Sequence, residues 1–303
     1  MESIFERLHI TRHHLRRHAG LGSGSGKRPR VDRGHKHFHG FETIEHSKPL
    51  VHKQHYISLF IRTAVVIRVC PTIQGNSIML DTTSFETIVR NRRATRQFLS
   101  TPVPSEQITA VLRDAQHAPS NCNTQPWNVH IVSGTKRDEL SQALLHAEEK
   151  GEAAPDFSFD MADFFGIYGE RAQASGKALY DILDIAREDR IGRREALLKN
   201  FDFFGAPHVA LMFMPTFGDN VRTAGDLGMY GQTFLLSLKA RGLAGIPQTS
   251  LSFFAPSIRS VLGISDEYRM LFGISFGYGD PAAVVNRLDA GRADISESVI
   301  FHG

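Results

Sequence analysis

Three arginines lie within five residues, in the sequence Arg92-Arg93-Ala94-Thr95-Arg96. A guanidinium group forms paired hydrogen bonds whose spacing matches two oxygens of a phosphate, so the cluster predicts a phosphate-binding site. The helical pattern just before it allows a second interpretation, in which the arginines are the solvated end of a helix and complement its dipole. The arginines by themselves leave both interpretations open.

A second polar segment runs from Ala118 to Trp127 and places short hydrogen-bonding side chains between two prolines. Amide and hydroxyl groups on a loop with rigid flanks suit the edge of a heteroaromatic ring, which carries both donors and acceptors. A turn-rich connection from a helix to a strand would have the same composition. Cys122 could be a nucleophile, but the sequence places no His–Asp or His–Asn pair beside it. We therefore expect a small buried thiol.

Two glycine-rich segments complete the set, at Gly242–Thr249 and at Gly273–Pro281, and Arg292 follows the second. Glycine forms turns, and it also lets the main chain approach a flat ligand closely. The second segment is not a dinucleotide-binding fingerprint, because Pro281 and an irregular arm follow the predicted strand where a helix would be required.

The composition limits the classes of protein that could carry these segments. The 303 residues are 41% hydrophobic and 22% charged, which is typical of a globular protein with a sizeable core. The two cysteines, Cys70 and Cys122, exclude a disulfide scaffold and a Cys-rich zinc fold and favour a reducing compartment. The apolar stretch Ile57–Cys70 contains Arg62 and Arg68, so no membrane span is predicted. We expect a cytoplasmic protein.

Charge divides the chain near residue 79. Residues 1–78 contain 13 Lys and Arg against 5 Asp and Glu and hold 10 of the 15 histidines, whereas residues 79–303 contain 22 against 27. The basic character of the whole chain is therefore a property of residues 1–78, and it does not indicate a nucleic-acid-binding domain.

Residues 1–78 are expected to be a basic, His-rich and disordered segment, because a glycine-serine linker and basic clusters bury little apolar surface. Alternating His35, His37 and His39 could hold a divalent metal, but we expect only adventitious affinity and predict no metal site. A targeting peptide, a basic arm for nucleic acid, and a reading frame extended upstream of a true start at Met79 are alternative interpretations.

From residue 79 to 303, helical and strand patterns alternate. Apolar spacing predicts five helices, at Phe85–Arg93 with Ser84 as its cap, from Ser105, from a capping box at Thr135 to about Gly151, after Asn220 up to Arg241, and at Pro256–Leu262. Apolar runs or alternation predict three strands, at Asn128–Val132, His208–Met214 and Arg269–Phe276. Residues 152–205 are expected to form helical excursions, and the residues after Pro281 an extended arm. The expected class is α+β, with a central mixed sheet covered by helices.

Taken in order, the four segments resemble the flavin-dependent nitroreductase family. The matching residues are Arg92-Arg93-Ala94-Thr95-Arg96, Ala118-Pro119-Ser120-x-x-Asn123-x-Gln125-Pro126-Trp127, the Gly242–Thr249 turn, and Gly277-Tyr278-Gly279-Asp280-Pro281 with the arginine-containing tail. Each motif is short, but four motifs in register over residues 81–303 are specific. Two positions depart from the family pattern: Ala94 stands where a serine is commoner, and Tyr278-Gly279 stands where many relatives carry Tyr-Pro.

The resemblance implies a domain-entwined homodimer of residues 79–303 that holds two FMN molecules in its interface, each contacted by both chains. Four arginines would hold the phosphate and ribityl end of FMN: Arg92, Arg93, Arg96 and Arg292. Ala94 would contribute only its main chain. Three polar residues would approach the flavin from the partner subunit or at the ring edge: Ser120, Asn123 and Gln125.

The remaining site residues are implied by the same resemblance. The segment beside the flavin ring near N5 would consist of Pro247, Gln248 and Thr249. Residues 152–205 would be a helical cover over the substrate, contacting it through three aromatic residues: Phe164, Phe165 and Tyr168.

The resemblance also implies an oxidoreductase with a ping-pong cycle, in which NADH or NADPH reduces the flavin and an oxidised aromatic acceptor, such as a nitroaromatic, then takes the electrons. The flavin performs the redox step, so no protein side chain is predicted as a catalytic acid or base. Flavin cleavage, dehalogenation or dehydrogenation on the same fold, and FMN binding without turnover, are the alternatives. Neither a membrane nor a nucleic acid is expected as a partner.

Overall fold

The computed structural model describes residues 82–303, with side chains from Ser84 onward. The interpretations of residues 1–78, including the histidines and the start at Met79, lie outside the described residues and stay predictions. The described part contains seven α-helices: α1 (Thr82–Asn91), α2 (Ser105–Ala115), α3 (Gly134–Lys150), α4 (Ile167–Ile182), α5 (Arg190–Leu198), α6 (Val221–Ala240) and α7 (Ala255–Leu262). Its four strands are β1 (Asn128–Ser133), β2 (His208–Pro215), β3 (Ala244–Gln248) and β4 (Tyr268–Gly277). No helix in this part combines the length and the apolar character that a membrane span needs.

The four strands form one sheet in the order β1–β2–β4–β3, and each neighbouring pair is antiparallel. Between residues 82 and 303, a parallel contact occurs only at an isolated bridge between Ala94 and Gly245. The predicted α+β class is confirmed. The expected sheet was mixed, whereas the sheet formed by the described residues is antiparallel. Its parallel pairing is limited to the single bridge between the arginine segment and β3.

Strand β2 is buried along both faces and separates two clusters of core residues. Val209, Leu211 and Phe213 face one cluster with α3 and α7, whereas the residues between them face the other cluster with α2 and α6. The continuous apolar run predicts this placement, since a strand that is covered on both faces needs apolar side chains in both directions. Full burial of one such Leu or Phe side chain contributes about 1.5–3 kcal/mol.

The two predicted helix caps are wrong. Ser84 lies inside α1, which begins at Thr82 and ends before the arginines. Thr135 lies inside α3, where Ser133 holds the N-cap position without a capping hydrogen bond from its side chain. The Ser133 hydroxyl is instead 2.6 Å from Nδ1 of His208, so a contact with the neighbouring strand replaces the local cap.

The sequence patterns do not predict β3, because it contains Gly245 and Pro247, residues that are rare within strands. Both fit because β3 is an edge strand, where a proline need not remove a hydrogen bond of the sheet. A Cβ atom at Gly245 would lie 2.9 Å from Cδ1 of Leu238, so glycine lets α6 pack closely on β3. The close approach expected for a flat ligand is made here by a helix.

A buried carboxylate, Asp156, fastens the helical cover at 152–205 to the rest of the domain. It accepts hydrogen bonds from the Arg259 guanidinium at 2.6 and 3.1 Å, from Arg269 at 3.1 Å and from the main-chain N–H of Met270 at 2.7 Å. Burial by itself raises the pKa of Asp156, but these hydrogen bonds outweigh it and hold the pKa below its usual range. The residues that follow Asp156 therefore begin at a fixed point beside β4.

His208, at the start of β2, is buried in its neutral form. Its Nε2 accepts a hydrogen bond from the main-chain N–H of Val103 at 2.9 Å, which leaves the ring proton on Nδ1 facing the Ser133 hydroxyl. The ring stacks on Phe276 with a centroid distance of 5.2 Å. Burial lowers the pKa of His208 below that of an exposed histidine.

We expect the free energy of unfolding to fall as the pH drops below about 6.5, the ordinary pKa of histidine. Below this pH the unfolded chain binds a proton at His208 that the folded chain resists. His208→Gln keeps an acceptor for Val103 but cannot titrate. In this variant the free energy of unfolding, measured by urea titration, should therefore differ less between about pH 5 and about pH 7 than in the wild type. His146→Gln, at an exposed position of α3, is the control. Equal effects of both substitutions would contradict a neutral buried histidine.

Candidate functional site

The arginine segment leaves α1 and runs beside the edge strand β3. Ala94 bridges Gly245, and the N–H of Thr95 donates to the Gly245 carbonyl at 3.4 Å. Farther along, the N–H of Leu99 donates to the Tyr278 carbonyl at 2.8 Å, just after β4. These contacts hold Ala94 to Leu99 along the edge of the sheet. The N–H of Arg92 donates to the Ile88 carbonyl at 3.1 Å, and the guanidinium of Arg93 donates to the Arg90 carbonyl, so these two arginines complete the end of α1. The segment therefore runs from a helix end, at Arg92 and Arg93, to the sheet edge, at Arg96.

Acidic residues neutralise only part of the positive charge of this segment. Arg93 forms an ion pair with Asp289 at 2.9 Å. In the described part of the chain, no carboxylate forms an ion pair with Arg92 or Arg96. Burial lowers the pKa of Arg96, and burial followed by the charges of Arg292 and Arg93 lowers the pKa of Arg92. Two half-buried guanidinium groups without a carboxylate partner fit an anionic ligand.

Arg96 shares a cavity of about 240 Å³ with the end of β3. Pro247 and Thr249 line this cavity, so the structure brings the first and third predicted segments together. Leu179 of α4 and Asn200, which follows α5, form other parts of the wall. Sequence reasoning misses Asn200, because it belongs to no motif and its place depends on the packing of α5 against β3.

The other two arginines of the segment line a neighbouring cavity of about 540 Å³. Arg92 and Arg93 share it with Asn286 of the C-terminal arm and with Lys239 at the end of α6. Arg292 is exposed on the arm, and its charge acts on Arg92. The arginine segment thus forms part of both cavities, and the arm brings the fourth predicted arginine to it.

The buried carboxamide of Gln248 supports the wall of the 240 Å³ cavity. Its Nε2 donates to the main-chain oxygen of Asn200 at 3.0 Å and to Oδ1 of Asn200 at 3.2 Å, and its Oε1 accepts from the Ser275 hydroxyl. The Ser250 hydroxyl donates to the same Asn200 Oδ1 at 3.0 Å. Because the side chain of Gln248 is engaged in these bonds, its main chain is the part of this residue that stays available to a ligand.

The end of β3 also borders a third cavity, of about 400 Å³. Phe157 and Phe159 line it together with Pro247 and Thr249, and none of the described residues around it is charged. Phe157 directly follows the buried carboxylate of Asp156, which therefore positions this aromatic wall. An uncharged aromatic surface beside the predicted ring position suits a flat apolar molecule.

The three aromatic residues predicted to contact the substrate lie on the surface of the helical cover. Phe164, Phe165 and Tyr168 are 43%, 76% and 56% exposed and line none of the three cavities. Phe164 meets Phe159 edge to face at 6.1 Å, and Phe159 itself lines the aromatic cavity. A direct contact between the predicted trio and a ligand in these cavities is therefore not formed within one chain.

The polar loop at residues 118–127 does not meet the arginines within one chain. It leads into β1 at Asn128, whereas the arginines lie beside β3, and these strands are the opposite edges of the sheet. Three strand spacings separate them by about 14 Å. The loop is held in place locally: the Ser120 hydroxyl accepts from the N–H of Gln125 at 2.9 Å, and the N–H of Asn121 donates to Asp226 of α6 at 3.0 Å.

The backbone of this loop has an unusual shape. The φ angles of Cys122, Asn123 and Gln125 are 51°, 54° and 49°, in the left-handed region that favours glycine. Such conformations persist where surrounding contacts enforce them, and they are common at binding surfaces. The prediction of a buried thiol at Cys122 is wrong, because the turn at Asn121–Asn123 lies on the surface and exposes it.

The sequence of this chain is similar to those of known nitroreductases. The sequence model of the nitroreductase family matches residues 89–278. Nitroreductase NfnB of Mycolicibacterium smegmatis is 42% identical over 216 residues, which are 71% of this chain and 92% of that protein. The 4-nitrobenzoate reductase of Pseudomonas putida is 37% identical over 209 residues, which are 68% of this chain and 90% of that protein.

A solved structure agrees with these sequence matches. The crystal structure of the FMN-dependent nitroreductase NfnB from Mycobacterium smegmatis in complex with NADPH has a TM-score of 0.71 and 41% sequence identity to this chain. The match covers 73% of this chain and 99% of that chain.

The hydrogen bonds of Gln248 make it a test of the cavity wall. Gln248→Leu should lower the free energy of unfolding by about 1–3 kcal/mol, because buried groups of Asn200 and Ser275 lose their partner. Urea-induced unfolding followed by circular dichroism measures the change. Gln142→Leu makes the same replacement at an exposed position of α3 and should change it by no more than about 0.5 kcal/mol. Similar losses in both variants would contradict a supporting role for Gln248.

Proposed function

Because this chain belongs to the nitroreductase family, we propose that it is an FMN-dependent oxidoreductase that transfers electrons from a reduced nicotinamide nucleotide to a nitroaromatic acceptor. The observation that carries this function is the cavity in which Arg96 meets Pro247 and Thr249. A guanidinium group and a wall for a flat ring thus occur at one site, which supports the proposal. The NADPH in the structure of the M. smegmatis relative favours NADPH as the donor, with NADH as the alternative.

The residues present fit FMN. Its phosphate would supply the negative charge that Arg92 and Arg96 lack, with Arg292 contributing from the arm. Arg93 has a different role from Arg92 and Arg96, since it already binds Asp289 and ties the arm to the segment. Ala94 has no polar side-chain group, so only its main chain is available to a ligand. One cluster of this kind matches one terminal phosphate, which favours FMN over FAD.

The end of β3 provides the surface beside the ring. Pro247 and Thr249 are exposed in the single chain and border both the 240 Å³ and the 400 Å³ cavities. Thr249 begins a short helical turn, Thr249–Phe254, so the first N–H groups of this turn have no partner within it. These groups are suited to donate a hydrogen bond to a ring nitrogen such as N5.

FMN, when bound, supplies the redox chemistry by accepting a hydride and passing electrons onward. The chain itself binds and orients the cofactor and the acceptor, and it excludes water from the site. The described residues that line the 240 Å³ cavity include no Asp, Glu or His, and Lys199 is their only ionisable side chain besides Arg96; solvent is the proposed source of protons. The aromatic cavity beside Phe157 and Phe159 is the proposed place for the acceptor, because it adjoins the ring wall and carries no charge.

A homodimer is part of this proposal. Ser120, Asn123 and Gln125 lie at the sheet edge opposite the arginines, so a second copy would have to bring its own loop to the cofactor. Apolar residues on the arm support such an assembly: Ile300 and Phe301 are 79% and 87% exposed in the single chain. Burial of this surface against a partner would stabilise the dimer.

The purified full-length protein is expected to be yellow, to release FMN and not FAD on heating, and to lose its flavin absorbance when NADPH is added without oxygen. Addition of a nitroaromatic such as 4-nitrobenzoate should then restore the absorbance. Chromatography identifies the released flavin, and the visible spectrum follows both steps. Recovery of FAD, or a bound flavin that NADPH leaves unchanged, would argue against the proposed function.

Arg92→Ala should weaken FMN binding roughly ten- to a hundred-fold, since one charge-assisted contact with a phosphate contributes about 1.5–3 kcal/mol. Arg90→Ala is the matched comparison, because Arg90 lies on α1 two residues before Arg92, is exposed, lines none of the three cavities and, among the described residues, pairs only with Glu86 at 3.5 Å. Its FMN affinity should change by less than about threefold. Flavin fluorescence titration measures both. An equal loss in the two variants would mean that FMN affinity depends only on the overall positive charge near the end of α1, and would argue against a direct contact of Arg92 with the phosphate.

A further inference from the structure

The side chain of Asn286 uses its full hydrogen-bonding capacity to join two distant parts of the chain. Its Oδ1 accepts from the main-chain N–H of Arg96 at 2.7 Å and from that of Gln97 at 3.2 Å. Its Nδ2 donates to the carbonyl oxygen of Gln97 at 2.8 Å and to that of Asp280 at 2.9 Å. A carboxamide can donate two hydrogen bonds and accept at its oxygen, so little capacity remains for a ligand.

These bonds set the register between the arginine segment and the C-terminal arm. Three residues beyond Asn286, Asp289 binds Arg93 at 2.9 Å. Three residues further, the charge of Arg292 adds to the effect of burial in lowering the pKa of Arg92. The short stretch from 286 to 292 therefore contacts the arginine segment at two residues, Asn286 and Asp289, and Asn286 makes the contact to its main chain.

We propose that Asn286 is a positioning residue, which fixes the arginine segment against the arm so that Arg92, Arg96 and Arg292 converge on one phosphate. This inference rests on the proposed FMN site and assigns a further residue to it. A guanidinium group recognises phosphate only when its planar fork is correctly oriented. A shift of the main chain at Arg96 relative to Arg292 therefore weakens phosphate binding while the ring wall at β3 stays in place.

The competing explanation is that Asn286 has a purely structural role, since a residue that ties the arm to the domain also stabilises the fold. The two explanations differ in what they predict for riboflavin, which has the ring and ribityl chain of FMN but no phosphate. Loss of positioning weakens the binding of FMN and leaves that of riboflavin unchanged. General loosening of the domain weakens the binding of both flavins equally.

The experiment compares the dissociation constants of FMN and riboflavin for the full-length chain by flavin fluorescence. Asn286→Ala should raise the constant for FMN about tenfold and leave that for riboflavin within about twofold. Asn286→Asp is nearly isosteric and keeps both accepting bonds to Arg96 and Gln97, so it tests the site even if the alanine variant does not fold. It loses both donated bonds and adds a negative charge beside the arginines, so it should also lower the preference for FMN.

Glu297→Gln provides the matched control. Glu297 fastens the same arm to α4 through an ion pair with Arg171 at 2.8 Å, away from the arginine segment. This variant should keep the wild-type ratio of FMN to riboflavin affinity.

Two results would overturn the role of Asn286: equal losses for both flavins in its variants, or the same loss of FMN preference in Glu297→Gln. A wild-type chain that binds riboflavin as tightly as FMN would instead contradict the proposed phosphate site itself, and the inference with it.

Discussion

Among the described residues, the guanidinium groups of Arg92 and Arg96 are half buried without a carboxylate partner, and the candidate site depends on this constraint. Moving a guanidinium group out of water costs free energy unless another charge or hydrogen bonds compensate. Burial lowers the pKa of both Arg92 and Arg96, which records this cost. A bound phosphate would provide the compensation. In the proposed enzyme, cofactor binding and the stability of this edge of the sheet are therefore coupled.

The rest of the domain keeps these groups in place before any ligand binds. Strand β3 is pinned from one side by α6, which packs closely at Gly245, and from the other by the hydrogen bonds of Gln248 to Asn200 and Ser275. Asp156 holds the aromatic wall through its bonds to Arg259, Arg269 and Met270. A site supported by such buried polar contacts loses little conformational entropy when a ligand binds.

The position of the polar loop supports the proposed homodimer. The loop precedes β1 and the arginines adjoin β3, and the sheet order separates these strands by its full width. In the proposed dimer, a cofactor that contacts both segments would lie where two copies meet. The surface position of Phe164, Phe165 and Tyr168 fits the same arrangement, because residues exposed in one chain are available to the site of a partner.

The sequence by itself determined the α+β class, the strands β2 and β4, and the long helix α6, because apolar periodicity is a local property of the chain. It also determined the four segments and their order, and with them the family. Only the tertiary structure decided that Arg93 binds Asp289, that Gln248 supports the cavity wall, that Cys122 is exposed, and that Asn286 joins the arm to the arginines. Each of these depends on a contact between residues far apart in the chain or on the path of a loop over the surface, and local patterns carry no record of either.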